Sequence, residues 1–208
     1  MFFDFHHHHF QRKEGIYNLH FLEKKLENAP FSVGFHPKDV ENITEKDWEW
    51  LYQNSQSPFC WAIGECGLDA NVSASEELQE QVFARQIEWA NQIRKPVVIH
   101  CVRRFSSLLK FKKIAKVPMI IHGFNKKSNI ANEVLEKGFF LSFGKALLHK
   151  DFLQEIVAKM PIQQLFLETD DTDFDITLLY QKVAELKNIP LSEVQNAIQI
   201  NLENIRIQ

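Results

Sequence analysis

The feature that most constrains this chain is a rhythm. Short apolar runs each end in a polar residue, and most are followed by a helical stretch. The runs are Phe2–His8, Gly15–Leu19, Phe31–Phe35, Cys60–Glu65, Pro96–His100, Pro118–His122, Phe139–Phe143 and Leu165–Thr169. Continuous apolar runs of this kind suit strands buried on both faces, as in parallel sheets. Between them, Glu76 to Ile93 places Leu78, Val82, Phe83, Ile87 and Ala90 close to one helical stripe. Ser128–Lys137, Asp151–Lys159 and Thr177–Leu186 follow the same period. Thr44–Asp47 reads as a helix start with an acidic first turn, Ser192 as an N-cap, and Gly138 as the residue that closes a helix before the next strand.

Eight strands alternating with helices predict an α/β fold, a TIM-type (β/α)8 barrel; an open doubly wound sheet is the alternative. The length, 208 residues, predicts one barrel domain over 1–208. One connection breaks the pattern. The stretch from roughly His7 to Glu14 is shorter than the dozen or so residues a parallel crossover takes. Either the first crossover is reduced to a turn, or the second run is not a regular barrel strand.

Composition narrows the class. Hydrophobic residues make up 45% and charged residues 25%, with only seven Gly and seven Pro, which excludes a disordered or collagen-like chain. No apolar run approaches the roughly 18 residues of a membrane helix, so no membrane partner is expected. Asp4 and four histidines stand where a signal peptide would carry basic and apolar residues. Cys60, Cys66 and Cys101 form an odd set that suits reduced thiols and a cytoplasmic location. The net charge of -3 gives no general attraction for nucleic acid, and leaves room for a local basic patch.

The ends of the runs carry the chemistry. In a barrel these ends converge at one mouth. Side chains alternate along a strand, so His6 and His8 point one way and His7 and His9 the other. The resulting set is His6, His8, Glu65, His100, His122 and Asp170. Neutral imidazole and carboxylate are ligands for Zn, Mn or Mg ions. Six ligands exceed what one open catalytic ion needs, so two divalent ions sharing a carboxylate are expected. Each element also has a plainer explanation. His6–His9 resembles an appended tag, although Phe5 and Phe10 bracket it; His100 or His122 alone suits a hydrogen-bonded structural histidine; Glu65 suits a solvated strand end. Ligand-type residues at five of eight strand ends are hard to obtain from solvated surface alone.

The same residues resemble a known family, the TatD metal-dependent hydrolases. Phe2–Phe3–Asp4–Phe5–His6–His7–His8 is similar to its first-strand motif. Val33–Gly34–Phe35–His36–Pro37, Ala62–Ile63–Gly64–Glu65–Cys66–Gly67–Leu68–Asp69 and Lys95–Pro96–Val97–Val98–Ile99–His100–Cys101 look like the next blocks. Ile121–His122–Gly123–Phe124, Gly138–Gly144 and Leu167–Glu168–Thr169–Asp170 complete the series in order. The resemblance covers nearly the whole chain. It implies a TIM-type barrel of the amidohydrolase-like superfamily, phosphodiester hydrolysis, commonly of DNA, and the six ligand positions named above. Against that pattern the chain resembles a shortened member. Lys38 stands where a second His often follows His-Pro, Val102 where Arg is usual, and Asp171–Thr172 where Ser-Pro is usual. Ala70–Asn71 replaces the family's aromatic pair.

In the expected mechanism His6 and His8 bind one ion and His100 and His122 the other, Glu65 bridges, and Asp170 completes the shell. A water with a lowered pKa attacks phosphorus, with Asp170 taking the proton. Asp170 and Glu65 are thus the expected catalytic residues. His36 is expected to contact phosphate or to stabilise the turn before Pro37. Lys38, Arg103, Arg104, Lys126 and Lys127 fall in mouth-side loops, where they serve substrate phosphates or are ordinary solvated cations. The expected partner is nucleic acid or another phosphodiester, and the expected state is a monomer. Two rival functions remain: a hydrolase of an ester, amide or lactone on the same metals, and a metal-binding scaffold with weak or no catalysis.

Overall fold

The computed structural model describes residues 1–21, 23 and 28–206. Eight strands, all parallel, follow one another around a single sheet in sequence order: β1 (Asp4–His7), β2 (Gly15–Leu19), β3 (Phe31–Val33), β4 (Cys60–Asp69), β5 (Val97–Val102), β6 (Met119–Ile121), β7 (Phe140–Phe143) and β8 (Leu165–Leu167). The barrel closes between its first and last strands through one bridge, His7 with Asp170. There the Asp170 amide donates to the His6 carbonyl and the His8 amide to the Asp170 carbonyl, both at 3.0 Å. The helices are α1 (Glu45–Ser55), α2 (Glu76–Ile93), α3 (Phe105–Phe111), α4 (Ser128–Glu136), α5 (Asp151–Lys159), α6 (Thr177–Lys187) and α7 (Leu191–Arg206).

Local chemistry sets the helix boundaries. Thr44 and Asp47 form a reciprocal capping box at the start of α1. Ser75 caps α2 through the Leu78 amide at 3.2 Å. Gly138 ends α4 with φ +77°. Ser192, expected as an N-cap, is instead the second residue of α7, because Pro190 precedes Leu191 and the helix begins there. The segment from His8 to Glu14 contains no helix, so the first crossover is reduced and β2 still pairs as a barrel strand.

β4 differs most from the expectation. It does not stop at Glu65 but runs to Asp69, pairing Cys66–Asp69 with Ile99–Val102 of β5 after a register shift. Gly67 explains the continuation. Its φ is +144°, and a Cβ there would lie 2.1 Å from the His100 carbonyl oxygen, so only glycine lets the two backbones approach this closely. The core is a single cluster of the strands' apolar residues and the inner faces of the helices, with Phe5 stacked on Phe166 at 4.2 Å. No helix among the described residues is long and apolar enough to cross a membrane.

Candidate metal centre

The sheet delivers the expected side chains to one point. Glu65 is buried at the centre, 7% exposed, and its two carboxylate oxygens face different neighbours. Oε1 lies 2.8 Å from His100 Nδ1, 2.8 Å from His122 Nε2 and 3.5 Å from His36 Nε2. Oε2 lies 3.6 Å from His6 Nε2 and 3.7 Å from His8 Nε2. Asp170 approaches the same imidazoles from the end of β8, with Oδ1 3.4 Å from His8 Nε2 and 3.8 Å from His6 Nε2. Three sets bring their coordinating atoms within 4.8 Å of one another: His6, His122 and Asp170; His6, His8 and Glu65; His36, Glu65 and His100. His36, read from sequence as a phosphate contact or a turn residue, therefore stands among the ligand-type groups. His122 lies beside the His6 and Asp170 set as well as against Glu65, which cuts across the expected division into His6 with His8 and His100 with His122.

His7 and His9 turn the other way. The His7 ring packs against Tyr17, and His7 and His9 stack with each other. Burial, with the nearby Arg12 charge, pushes His7 down to about 3, so it is neutral.

The electrostatics are those of a site built for cations. Burial alone would raise Glu65, yet the His122 charge and the close approach of the His100 and His122 imidazoles hold its carboxyl well below the usual range. Burial opposes charge on His122, but Glu65 and Glu168 push it well above the ordinary imidazole value. Burial takes His36 down to about 4 against the pull of Glu65, leaving it neutral. Burial would raise Asp170, but His8, His122 and His6 keep it lowered and ionised. His6 is fully buried, and neither of its ring nitrogens has a hydrogen-bond partner. A buried polar ring without partners calls for one. Together with four further imidazoles and two carboxylates, it fits a divalent cation of the zinc or manganese type.

Sequence reasoning missed the residues that orient these ligands. Asp69 Oδ2 lies 3.0 Å from His100 Nε2, so it takes that N–H and leaves Nδ1 facing Glu65. Glu168 accepts from the Gly123 amide and lies 3.5 Å from His122 Nδ1. Asn18 accepts from the Glu65 amide at 3.1 Å and donates Nδ2 to Glu65 Oε2 at 3.2 Å. His20 Nε2 lies 3.4 Å from His8 Nδ1. Asp69 and Glu168 sat inside the motif blocks; ending β4 at Glu65 hid the first, and attention to Asp170 hid the second.

The basic residues separate. Lys38 is exposed and lines a small cavity of about 30 Å³ with His8, His20, His36 and Glu65. Arg103 and Lys127 are exposed, and Lys126 lies over the Phe105 ring. Arg104, also expected to hold substrate, is already paired within the fold. Its guanidinium pairs with Glu76 in the first turn of α2, where Ser107 also donates to Glu76 at 2.8 Å.

Known proteins carry the same features. The sequence profile of the TatD related DNase family matches residues 8–206. This chain belongs to that family. Relatives include the uncharacterized metal-dependent hydrolase YabD of Bacillus subtilis, 28% identical over 84% of this chain and 75% of that protein. Deoxyribonuclease TATDN3 of Homo sapiens is 28% identical over 80% of this chain and 70% of its own length. The 3'-5' ssDNA/RNA exonuclease TatD of Klebsiella pneumoniae is 32% identical over 67% and 56%. The crystal structure of YJJV, a TatD homologue from Escherichia coli, superposes with a TM-score of 0.81 at 18% identity, covering 98% of this chain and 96% of that one. The chain is thus a metal-dependent hydrolase of the TatD family on a TIM-type barrel.

Proposed function

We propose that this hydrolase cleaves phosphodiester bonds of nucleic acid, DNA in particular, with two divalent ions held around Glu65. The observation that carries the proposal is the division of one buried carboxylate between two sets of imidazoles, with His100, His122 and His36 at Oε1 and His6 and His8 at Oε2. Asp170 joins the His6 side. Ions bound there would lower the pKa of a water and stabilise negative charge on a phosphoryl oxygen.

The protein's own residues do the rest. Glu65 keeps its charge in a buried place and holds the two sets at a fixed spacing. Asp170, ionised and on the mouth side, accepts the proton of the attacking water at Oδ1. Asp69 and Glu168 fix which nitrogen of His100 and of His122 faces inward. Lys38 and Arg103, exposed at the mouth, neutralise substrate phosphates, and Lys126 and Lys127 extend that surface. Relatives named as a deoxyribonuclease and an ssDNA/RNA exonuclease favour nucleic acid over other esters. The same reading takes residues 1–208 as one domain working as a monomer in the cytoplasm.

The test is a substrate panel with added Mn²⁺, Mg²⁺ or Zn²⁺: single-stranded DNA, RNA, a small phosphodiester, a carboxylic ester and an amide. Metal-dependent cleavage of DNA is expected to exceed the rest. Turnover confined to the ester or amide overturns the phosphodiester reading, and metal binding without any turnover leaves the scaffold reading.

A further inference from the structure

The shortened first crossover does something other than connect two strands. Arg12, in the turn between β1 and β2, reaches across the seam where the barrel closes. Its Nη1 donates to Asp4 on β1 and to Thr169 Oγ1 at 2.8 Å, and its Nη2 lies 3.5 Å from Asp173. Asp4 is fully buried. It accepts from the Thr169 amide at 2.8 Å and from the Thr169 hydroxyl at 2.6 Å. The Thr169 hydroxyl thus donates to Asp4 and accepts from Arg12, which ties three groups from three segments into one closed unit.

The next residue is Asp170. Its φ is +55°, a left-handed conformation uncommon outside glycine, though one that Asp tolerates better than most residues. Among the described residues, the one strand bridge at the seam is that between His7 and Asp170. A seam this thin in backbone pairing does not by itself fix where the Asp170 carboxylate points. We infer that Arg12 is a positioning residue for the reaction: through Asp4 and Thr169 it holds Asp170 in the left-handed conformation that aims its carboxylate at His6 and His8. Removing Arg12 leaves a buried carboxylate without its cation, and the segment that carries Asp170 must readjust around it. The inference rests on the reading of Asp170 as a reacting group.

The experiment compares Arg12→Met, Asp170→Asn and the double variant, with Thr169→Val as a second way to open the unit while sparing the Arg12–Asp4 pair. The first readout is hydrogen exchange at the Asp170 amide, followed by NMR in metal-free protein. It is expected to quicken roughly 10-fold or more in Arg12→Met and in Thr169→Val, because the bond to the His6 carbonyl is no longer held. The second is turnover in the Mn²⁺-loaded protein. kcat is expected to fall roughly 10–100-fold with KM nearly unchanged, and the double variant to be no slower than Asp170→Asn alone. Arg12→Lys, which keeps the charge but not the planar fork, recovers only part of the loss. Wild-type exchange in both Arg12→Met and Thr169→Val overturns the inference. So does a double variant in which the two losses multiply, since Arg12 would then act elsewhere. An Asp170→Asn variant with wild-type kcat would instead defeat the reading of Asp170 on which the inference rests.

Discussion

The inner shell of the barrel mouth and its rim are built from the same strand ends, yet they differ in almost every physical respect. Inside, His6, Glu65 and His122 are buried, and their backbones lie in β-strands or directly beyond them. Their neighbours Asn18, Asp69 and Glu168 are buried too and lock their orientations. Outside, Lys38, Arg103 and Lys127 are exposed, and none of the three has a salt-bridge partner among the described residues. The difference teaches where each part of the function lies. On the proposed reading the sheet specifies the metal chemistry and the loops the substrate, so loops could shrink while the centre persists.

The comparison breaks most visibly at Glu65. Glu65→Ala removes the carboxylate that faces both imidazole sets; under the two-ion proposal it would leave two cations to repel each other unscreened, so loss of bound metal and of all measurable hydrolysis is expected. Metal analysis of the purified variant checks it. On β1 and just beyond it, His6→Ala is expected to lose metal, whereas His7→Ala and His9→Ala retain it, because alternation turns them away from the mouth. Equal metal loss in His6→Ala and His7→Ala would mean that the ligand set must be redrawn. Asp170→Asn retains most of the metal, since the imidazoles and Glu65 remain, but loses roughly 10²–10⁴ in rate if Asp170 moves the proton. Steady-state rates on metal-loaded protein decide this. Asp69→Ala leaves His100 in place without its partner, and a loss of roughly 10–100-fold in metal affinity is expected from titration against a chelating dye.

At the rim the effects shrink. Lys38→Ala and Arg103→Ala are expected to raise KM for DNA by a few fold and to flatten its salt dependence, with kcat kept. Arg104→Ala, which breaks a pair with Glu76, is expected to leave KM unchanged at every salt concentration. A rim substitution that abolished metal binding would erase the distinction between the two regions.

Much of this organisation was legible in the sequence because strand ends are short-range features. Apolar runs end where a buried strand meets the mouth, so His6, His8, His100, His122 and Asp170 stood out by position; Glu65 stood out as the polar end of an apolar run, although β4 continues past it to Asp69. The reduced first crossover followed from chain length between two runs. What stayed hidden depends on contacts between distant segments. Asp69 belongs to the site because Gly67 lets β4 continue against His100, and a local pattern cannot show a close backbone approach. His36 stands among the ligand-type groups because the chain leaving β3 brings its Nε2 to 3.5 Å from Glu65. Arg104 looked free for phosphate because nothing local shows that Glu76, 28 residues away, takes its charge.

The central claim is that Glu65 divides two ions between its two oxygens. Anomalous diffraction from crystals grown with Mn²⁺ tests it directly. The account predicts two peaks flanking the Glu65 carboxylate, roughly 3.5–4 Å apart, one against His6 and Asp170 and the other against His100. A single peak, or peaks that do not contact Glu65, would contradict it.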